Sequence, residues 1–393
     1  MTFFRPLLAT LLLFQIVLNY AQTPISGIIN HYAAVEELDA CRARVIVDDV
    51  GEIQVNDTLL LIQMQGAEIN LSNSDEFGEV QAYNNAGLFE GVVVDAIFGD
   101  TLQLTHRWIN AYDLSGQVQL VRMPNYDEAI VDGTLRAQDW NGRTGGILAF
   151  SAGRLVLQAD INVSGLGFRG GSAALDYNGT CTWLINHDNY RYLDFSIRSG
   201  LKGEGIAGIP ELWPRGRGAS ANGGGAGNDH NTGGGGGAQV TKGGRGGRND
   251  NPNPLGCQGR NPGEAGRAIA LTDNRIFLGG GGGSGHGNNN VATDGGHGGG
   301  MVLIFAQQME GNGFAVRANG QDAANSQDDG AGAGGAGGTV LLDVDRYLDD
   351  FTVEAIGGRG GDADNSDNPQ CYGPGGGGSG GRVLANVPGT IDL

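Results

Sequence analysis

Glycine is what most limits how this chain can fold. Of its 393 residues 74 are glycine, and only 14 of those lie at or before position 165. The runs at 223–225, 233–237 and 279–283 carry no side chains to bury. Ordering each residue still costs about 1–2 kcal/mol of backbone entropy. Two outcomes are open to such tracts. They are flexible loops, or they are extended strands that lie close together because no Cβ holds them apart. In the second case they form left-handed helices of three residues per turn, and the free N–H and C=O groups must bond to neighbouring segments. Flexible linkers usually mix glycine with serine. Here serine is scarce in the tracts, which alternate with bulky residues such as Arg275-Ile276-Phe277-Leu278, so ordered packing is expected.

Aligning the double glycines shows a repeat. Gly145-Gly146 precedes Ile147-Leu148-Ala149-Phe150, Gly299-Gly300 precedes Met301-Val302-Leu303-Ile304-Phe305, and Gly337-Gly338 precedes Thr339-Val340-Leu341-Leu342. Each copy continues through a polar bend into a second strand around Ile161, Val316 or Val353. Gly380-Gly381 opens a shorter fourth copy at Arg382-Val383-Leu384. One unit cannot bury its apolar face alone, whereas stacked units share a core, as in a solenoid.

The glycine-poor part reads differently. Short runs at 44–47, 58–62, 91–94, 101–104 and 117–121 alternate or are apolar, with turn-forming residues between them; these are strands. Ahead of them, residues 1–21 have the form of a signal peptide: Arg5, an apolar stretch from Leu7 to Leu18, and Ala21 before the expected cleavage point. That stretch is too short to span a bilayer. The expected fold is therefore all-β: a signal peptide at 1–21, a small β-barrel or sandwich at 22–143, and a glycine-rich β-solenoid-like domain at 144–393 with an insertion at 167–298. A glycine-rich β-sandwich around a polyglycine II bundle is the alternative. Export implies a secreted or outer-surface location.

A formal charge of −19 disfavours nucleic acid and anionic lipid as partners, and no later run is long enough for a transmembrane helix. The four cysteines Cys41, Cys181, Cys257 and Cys371 form an even set, which in an oxidising compartment makes them disulfide candidates. Spacing does not rank their pairings.

Several stretches carry a resemblance: Leu60-Leu61-Ile62-Gln63-Met64-Gln65-Gly66-Ala67, Trp140-Asn141-Gly142-Arg143-Thr144-Gly145-Gly146, Gly167-Phe168-Arg169-Gly170-Gly171, Gly227-Asn228-Asp229-His230-Asn231, and Leu278 to Gly283 with Gly285-His286. Together they resemble the amino-terminal glycine-rich region of large exported proteins of gliding bacteria, namely Bacteroidota proteins with a gliding-motility-associated sorting domain and myxobacterial gliding-motility proteins. The resemblance implies a place at the cell surface. The family's carboxy-terminal sorting domain is the part of the pattern not visible in this sequence.

Candidate chemistry is sparse. Gly357-Gly358-Arg359-Gly360-Gly361-Asp362 approximates a calcium-binding β-roll nonapeptide, so Asp362, Asp364 and Asp367 are candidate calcium ligands; a solvated acidic loop is the competing reading, with no cofactor. The loop from Gln321 to Asp329 is a vaguer candidate of the same kind. His230, His286 and His297 fall among glycines and are expected to be exposed, without ligand spacing. Gly377-Gly378-Ser379-Gly380-Gly381 matches a nucleophile elbow in letters only, since no helix follows it. Trp183, Tyr190 and Tyr192 form a candidate glycan surface. With no catalytic constellation, the expected function is a structural or adhesive surface module rather than an enzyme, with cell-surface or matrix components, glycans among them, as partners. A carbohydrate- or ice-binding protein and a polysaccharide-acting enzyme on a β-helix are the alternatives.

Overall fold

A computed structural model describes residues 22–175, 188–194, 199–252, 257–270, 272, 274–288, 290–364 and 371–386. These are almost entirely β-structure and extended chain, with one 3₁₀ turn at Leu114–Gly116, so the all-β expectation holds.

Six antiparallel strands close a barrel: Tyr32–Asp39, Arg44–Val47, Thr58–Gln63, Phe89–Phe98, Thr101–Leu104 and Val118–Met123. Because side chains alternate across a strand, Leu59 and Leu61 fill the barrel with Val45, Val94, Leu102 and Leu120. Leu60 and Ile62 point outward, and they too are buried, against Trp140, Phe168 and Leu278. This double burial explains why the strand at 58–62 reads as an unbroken apolar run.

The repeats stack as a parallel sheet in the register that the double glycines predict. Ile147 lies beside Met301, Met301 beside Thr339, and Thr339 beside Arg382. The second strands form another ladder, Ile161 to Val316 to Val353. Between the two ladders sits an apolar core that includes Leu148, Phe150, Val302, Ile304, Val340 and Leu342. The opposite face, with Ile147, Ala149, Met301 and Leu303, packs against the barrel wall and the glycine insertion. A parallel sheet buried on both faces reads as near-continuous apolar sequence. Charges are layered along the edges. Arg154 bridges Glu128 and Glu310, and Arg317 bridges Asp160 and Glu354. The Ala315 N–H and Arg317 hold Asp160 below its usual pKa.

The solenoid begins earlier in the chain than position 144. Strands Gln22–Ile28 and Asn125–Arg136 pair in parallel with each other, and the second also pairs with Ile147–Leu157. The barrel is thus an excursion between two solenoid strands. Pro24 and Gly27 in the first strand and Gly133 in the second weaken the strand pattern in sequence.

In its described residues the glycine insertion packs as a polyglycine lattice whose core is main chain. Along 279–286, successive N–H groups address three different neighbours in turn. Gly279, Gly282 and Gly285 donate to the carbonyls of Gly299, Gly296 and Thr293 at 2.9, 2.9 and 3.0 Å. Gly280, Gly283 and His286 donate to Ala238, Gly235 and Thr232 at 3.2, 2.9 and 3.0 Å. Gly281 and Ser284 donate to Glu204 and Leu201 at 2.9 and 3.2 Å. The three-residue period is that of the left-handed extended helix. The segment 233–238 repeats it, addressing 244–247, 331–334 and 222–225. At the closest approaches only glycine fits. A Cβ on Gly224 would stand 1.8 Å from the Gly235 carbonyl oxygen, and one on Gly281 2.0 Å from that of Arg169.

Candidate functional site

Three separate stretches of the chain, at 60–67, 140–146 and 167–171, meet at one carboxylate. Glu204, buried in the lattice segment 199–205, accepts Gln65 Nε2 at 2.8 Å, Trp140 Nε1 at 3.1 Å and Arg169 Nε at 2.9 Å. The Arg169 main-chain N–H adds a fourth bond at 3.1 Å. A buried carboxylate is tolerable only when its lone pairs are met in this way, and here they lock barrel, solenoid and glycine insertion together. Glu204 lies in a featureless Gly-Glu-Gly context, so no sequence signal marks it.

Two residues earlier, Lys202 is fully buried and makes no ion pair among the described residues. Its ammonium donates to the carbonyls of Tyr190, Gly216 and Gly218 at 2.7, 3.0 and 2.6 Å and sits 4.5 Å from the Phe77 ring centroid. Burial pushes its pKa well below the usual lysine value, while the three carbonyls match the three N–H bonds of the charged form. Lys202 thereby ties the segment 188–194, the segment 214–218 and the barrel loop at 70–79 to the lattice. The same corner is reinforced by Arg191, stacked 4.3 Å over Trp213, and by Asn73, whose Oδ1 accepts the Tyr190 N–H at 2.8 Å.

These segments enclose a hollow of about 290 Å³, with Asp75, Glu79, Tyr190, Lys242, Glu264 and Arg267 on its walls. Arg267 pairs with Glu79 at 3.1 Å, and Glu264 takes Arg217 and, at 3.1 Å, Arg245. Arg217 lies 4.9 Å from the Tyr190 ring centroid, and its Nε is buried without an acceptor among the described residues. A larger, more open groove of about 600 Å³ lies between barrel and solenoid beside Asp57, Arg122, Asn125, Tyr126 and Ser151. Its charged members, Arg122 and Asp57, are already paired at 2.7 Å.

Of the residues proposed for a glycan surface, Tyr190 lines the hollow, Tyr192 is buried, with its main-chain N–H bonded to Arg215, and Trp183 lies outside the described residues. The expectation that the glycine-rich region exposes its histidines is overturned for two of the three. His230 and His286 are buried and His297 is half-buried, because the lattice is itself a core and its ends cover them. Burial lowers the pKa of His230, against the opposing pull of Asp229, and of His297. Among the cysteines, Cys257 is disulfide-bonded, Cys41 and Cys371 are exposed free thiols, and Cys181 lies outside the described residues. Cys41 sits on a hairpin tip of the barrel and Cys371 in the last repeat's return, so the four do not form two bridges.

Asp362 and Asp364 are exposed and Asp367 lies outside the described residues. Their turn stacks on the other acidic candidate loop, Ser326–Gln327 pairing with Ala363–Asp364. The side chains of Asp322 and Asn325 accept the Arg359 and Asp362 N–H groups at 2.7 and 2.9 Å. They join successive coils, and among the described residues no three His, Cys, Asp or Glu side chains gather as a metal site would require.

No family model matches this chain, and no curated protein does. Among solved structures, it has a distant likeness to the Gp54 tailspike of Acinetobacter baumannii bacteriophage AP22 in complex with A. baumannii capsular saccharide. Identity is 12% and the TM-score 0.17, over 37% of this chain and 31% of the tailspike chain. At that level of likeness, what bears on function is the chain's own geometry.

Proposed function

We propose that this chain is a non-catalytic adhesive module of an exported surface protein, in which the polyglycine lattice is a rigid mount for binding loops. The observation that carries this is the three-sided main-chain bonding of the lattice, to which Glu204 and Lys202 fasten the barrel and the corner loops. A mount of this kind holds its loops in the binding geometry before a partner arrives, which lowers the ordering cost of association. Export is supported by the signal-peptide pattern at 1–21, and a solvated surface by the formal charge of −19. Protease shaving of intact native cells tests the placement. Release of peptides from the barrel loops and from the segment 188–194 is the expected result. Complete protection until the cells are lysed would overturn it.

One observation favours carbohydrate recognition over ice binding: the hollow combines an aromatic side chain with carboxylates and cationic groups.

A further inference from the structure

The corner hollow beside Tyr190 has features that the scaffold does not require. The Asp75 carboxylate and the Lys242 ammonium, both exposed on its walls, have no ion-pair partner among the described residues. Behind the wall, Arg217 is only 7% exposed; its guanidinium lies against the Tyr190 ring and pairs with Glu264, which holds both wall residues in place. The backbone around the hollow is held independently of any ligand, by Lys202 below and by Arg267, which donates to the Phe77 carbonyl at 3.0 Å. Three exposed apolar side chains, Leu71, Leu193 and Leu212, lie on the segments that surround it.

Resting on the adhesive reading, we infer that this hollow is a saccharide-binding site that takes one or two neutral sugar rings. Hydroxyl groups both donate and accept, so a sugar is met on one side by the Asp75, Glu79 and Glu264 carboxylates and on the other by Lys242 and Arg267. Tyr190 supplies an apolar face with a polar edge for the ring's C–H surface. About 290 Å³ is at the small end of the roughly 300–1,000 Å³ usual for small-molecule sites, which fits a terminal or branching residue of a glycan rather than a long chain. Counting Arg217 and Arg245, which pair with Glu264, three carboxylates stand with four cationic groups, so the surroundings of the hollow are close to neutral, and the charge of the whole chain disfavours uronic and sialic acids.

The test is titration of the full chain, by ligand-observed NMR and calorimetry, with neutral oligosaccharides built on glucose, galactose, mannose and N-acetylglucosamine, and with glucuronate and sialic acid as acidic probes. At least one neutral saccharide should bind. Tyr190→Ala should weaken it tenfold or more, and Lys242→Ala about threefold, while Phe98→Ala on the barrel hairpin leaves it unchanged. Lys242 is exposed and bonds to nothing among the described residues, so its variant decides the matter if Tyr190→Ala fails to fold. The inference is overturned if no neutral saccharide binds at millimolar concentration, if only acidic probes bind, or if both substitutions leave the affinity unchanged. A shaved surface protein that binds no sugar would remove this ligand class and keep the adhesive reading. Sugar binding by a protein that is protected inside the cell would do the reverse.

Discussion

The barrel and the polyglycine lattice solve the same problem in opposite ways. In the barrel, Leu59, Leu61, Val94, Leu102 and Leu120 bury side chains and the main chain lies around them. In the lattice, the main chain is the interior and the few side chains lie at its margins. The difference shows in the energetics. Each buried leucine contributes about 1.5–3 kcal/mol, while a net hydrogen bond contributes only about 0.5–1.5 kcal/mol against about 1–2 kcal/mol to order a residue. Lattice bonds alone therefore fall short. The lattice depends on its anchors: Phe168, Ile206, Ile276, Phe277 and Leu278, which insert into the core shared with the barrel wall, and the buried Glu204 and Lys202.

Single methyl groups give the strongest way to break this comparison. Gly281→Ala puts a carbon 2.0 Å from the Arg169 carbonyl oxygen, in a segment held on three sides, and is expected to cost more than about 3 kcal/mol and to stop the lattice closing. Leu61→Ala removes a barrel anchor at about 2–5 kcal/mol while the lattice stays closed. Gly91→Ala, on an exposed strand position with nothing within 4 Å, should change stability by no more than about 0.5 kcal/mol. Chemical denaturation of the three variants checks the order; equal losses at Gly281 and Gly91 would mean that the tracts are loose.

Acid acts more weakly, on the lattice and on the solenoid beside it. His230 and His297 both have folded pKa values depressed below 6.5 by burial in and around the lattice. The unfolded chain therefore binds protons first, and stability present above pH 6.5 is lost as pH falls through the folded values. Asp160, in the solenoid, has the same sign in a lower window, below about 3.8. Melting midpoints measured between pH 7.5 and 5 should decline, and His230→Asn should flatten the decline. An unchanged slope in that variant would exclude His230 as its source.

Much of the fold can be read from the residues. The double glycines predict the register of Ile147, Met301, Thr339 and Arg382, and five barrel strands follow from their apolar runs. Other features have no local signal. Strand Gln22–Ile28 is interrupted by Pro24 and Gly27 and becomes a strand only because Asn125–Arg136 lies beside it. The site is less legible. Tyr190 is visible as an aromatic, but Glu204, Lys202 and Arg217 sit in glycine-rich sequence where a charged residue suggests exposure. Their burial follows from a lattice whose long-range contacts no short window contains. The burial of His230 and His286 is hidden for the same reason.

The central claim is that the glycine tracts are a core rather than loops, and amide hydrogen exchange at residues 223–238, 279–286 and 331–338 tests it most directly. If the N–H groups there are held by the three-sided bonding, these amides exchange only with global unfolding, as slowly as those of barrel residues Leu59 and Leu120. Exchange within seconds at neutral pH, with the barrel still protected, would contradict the account.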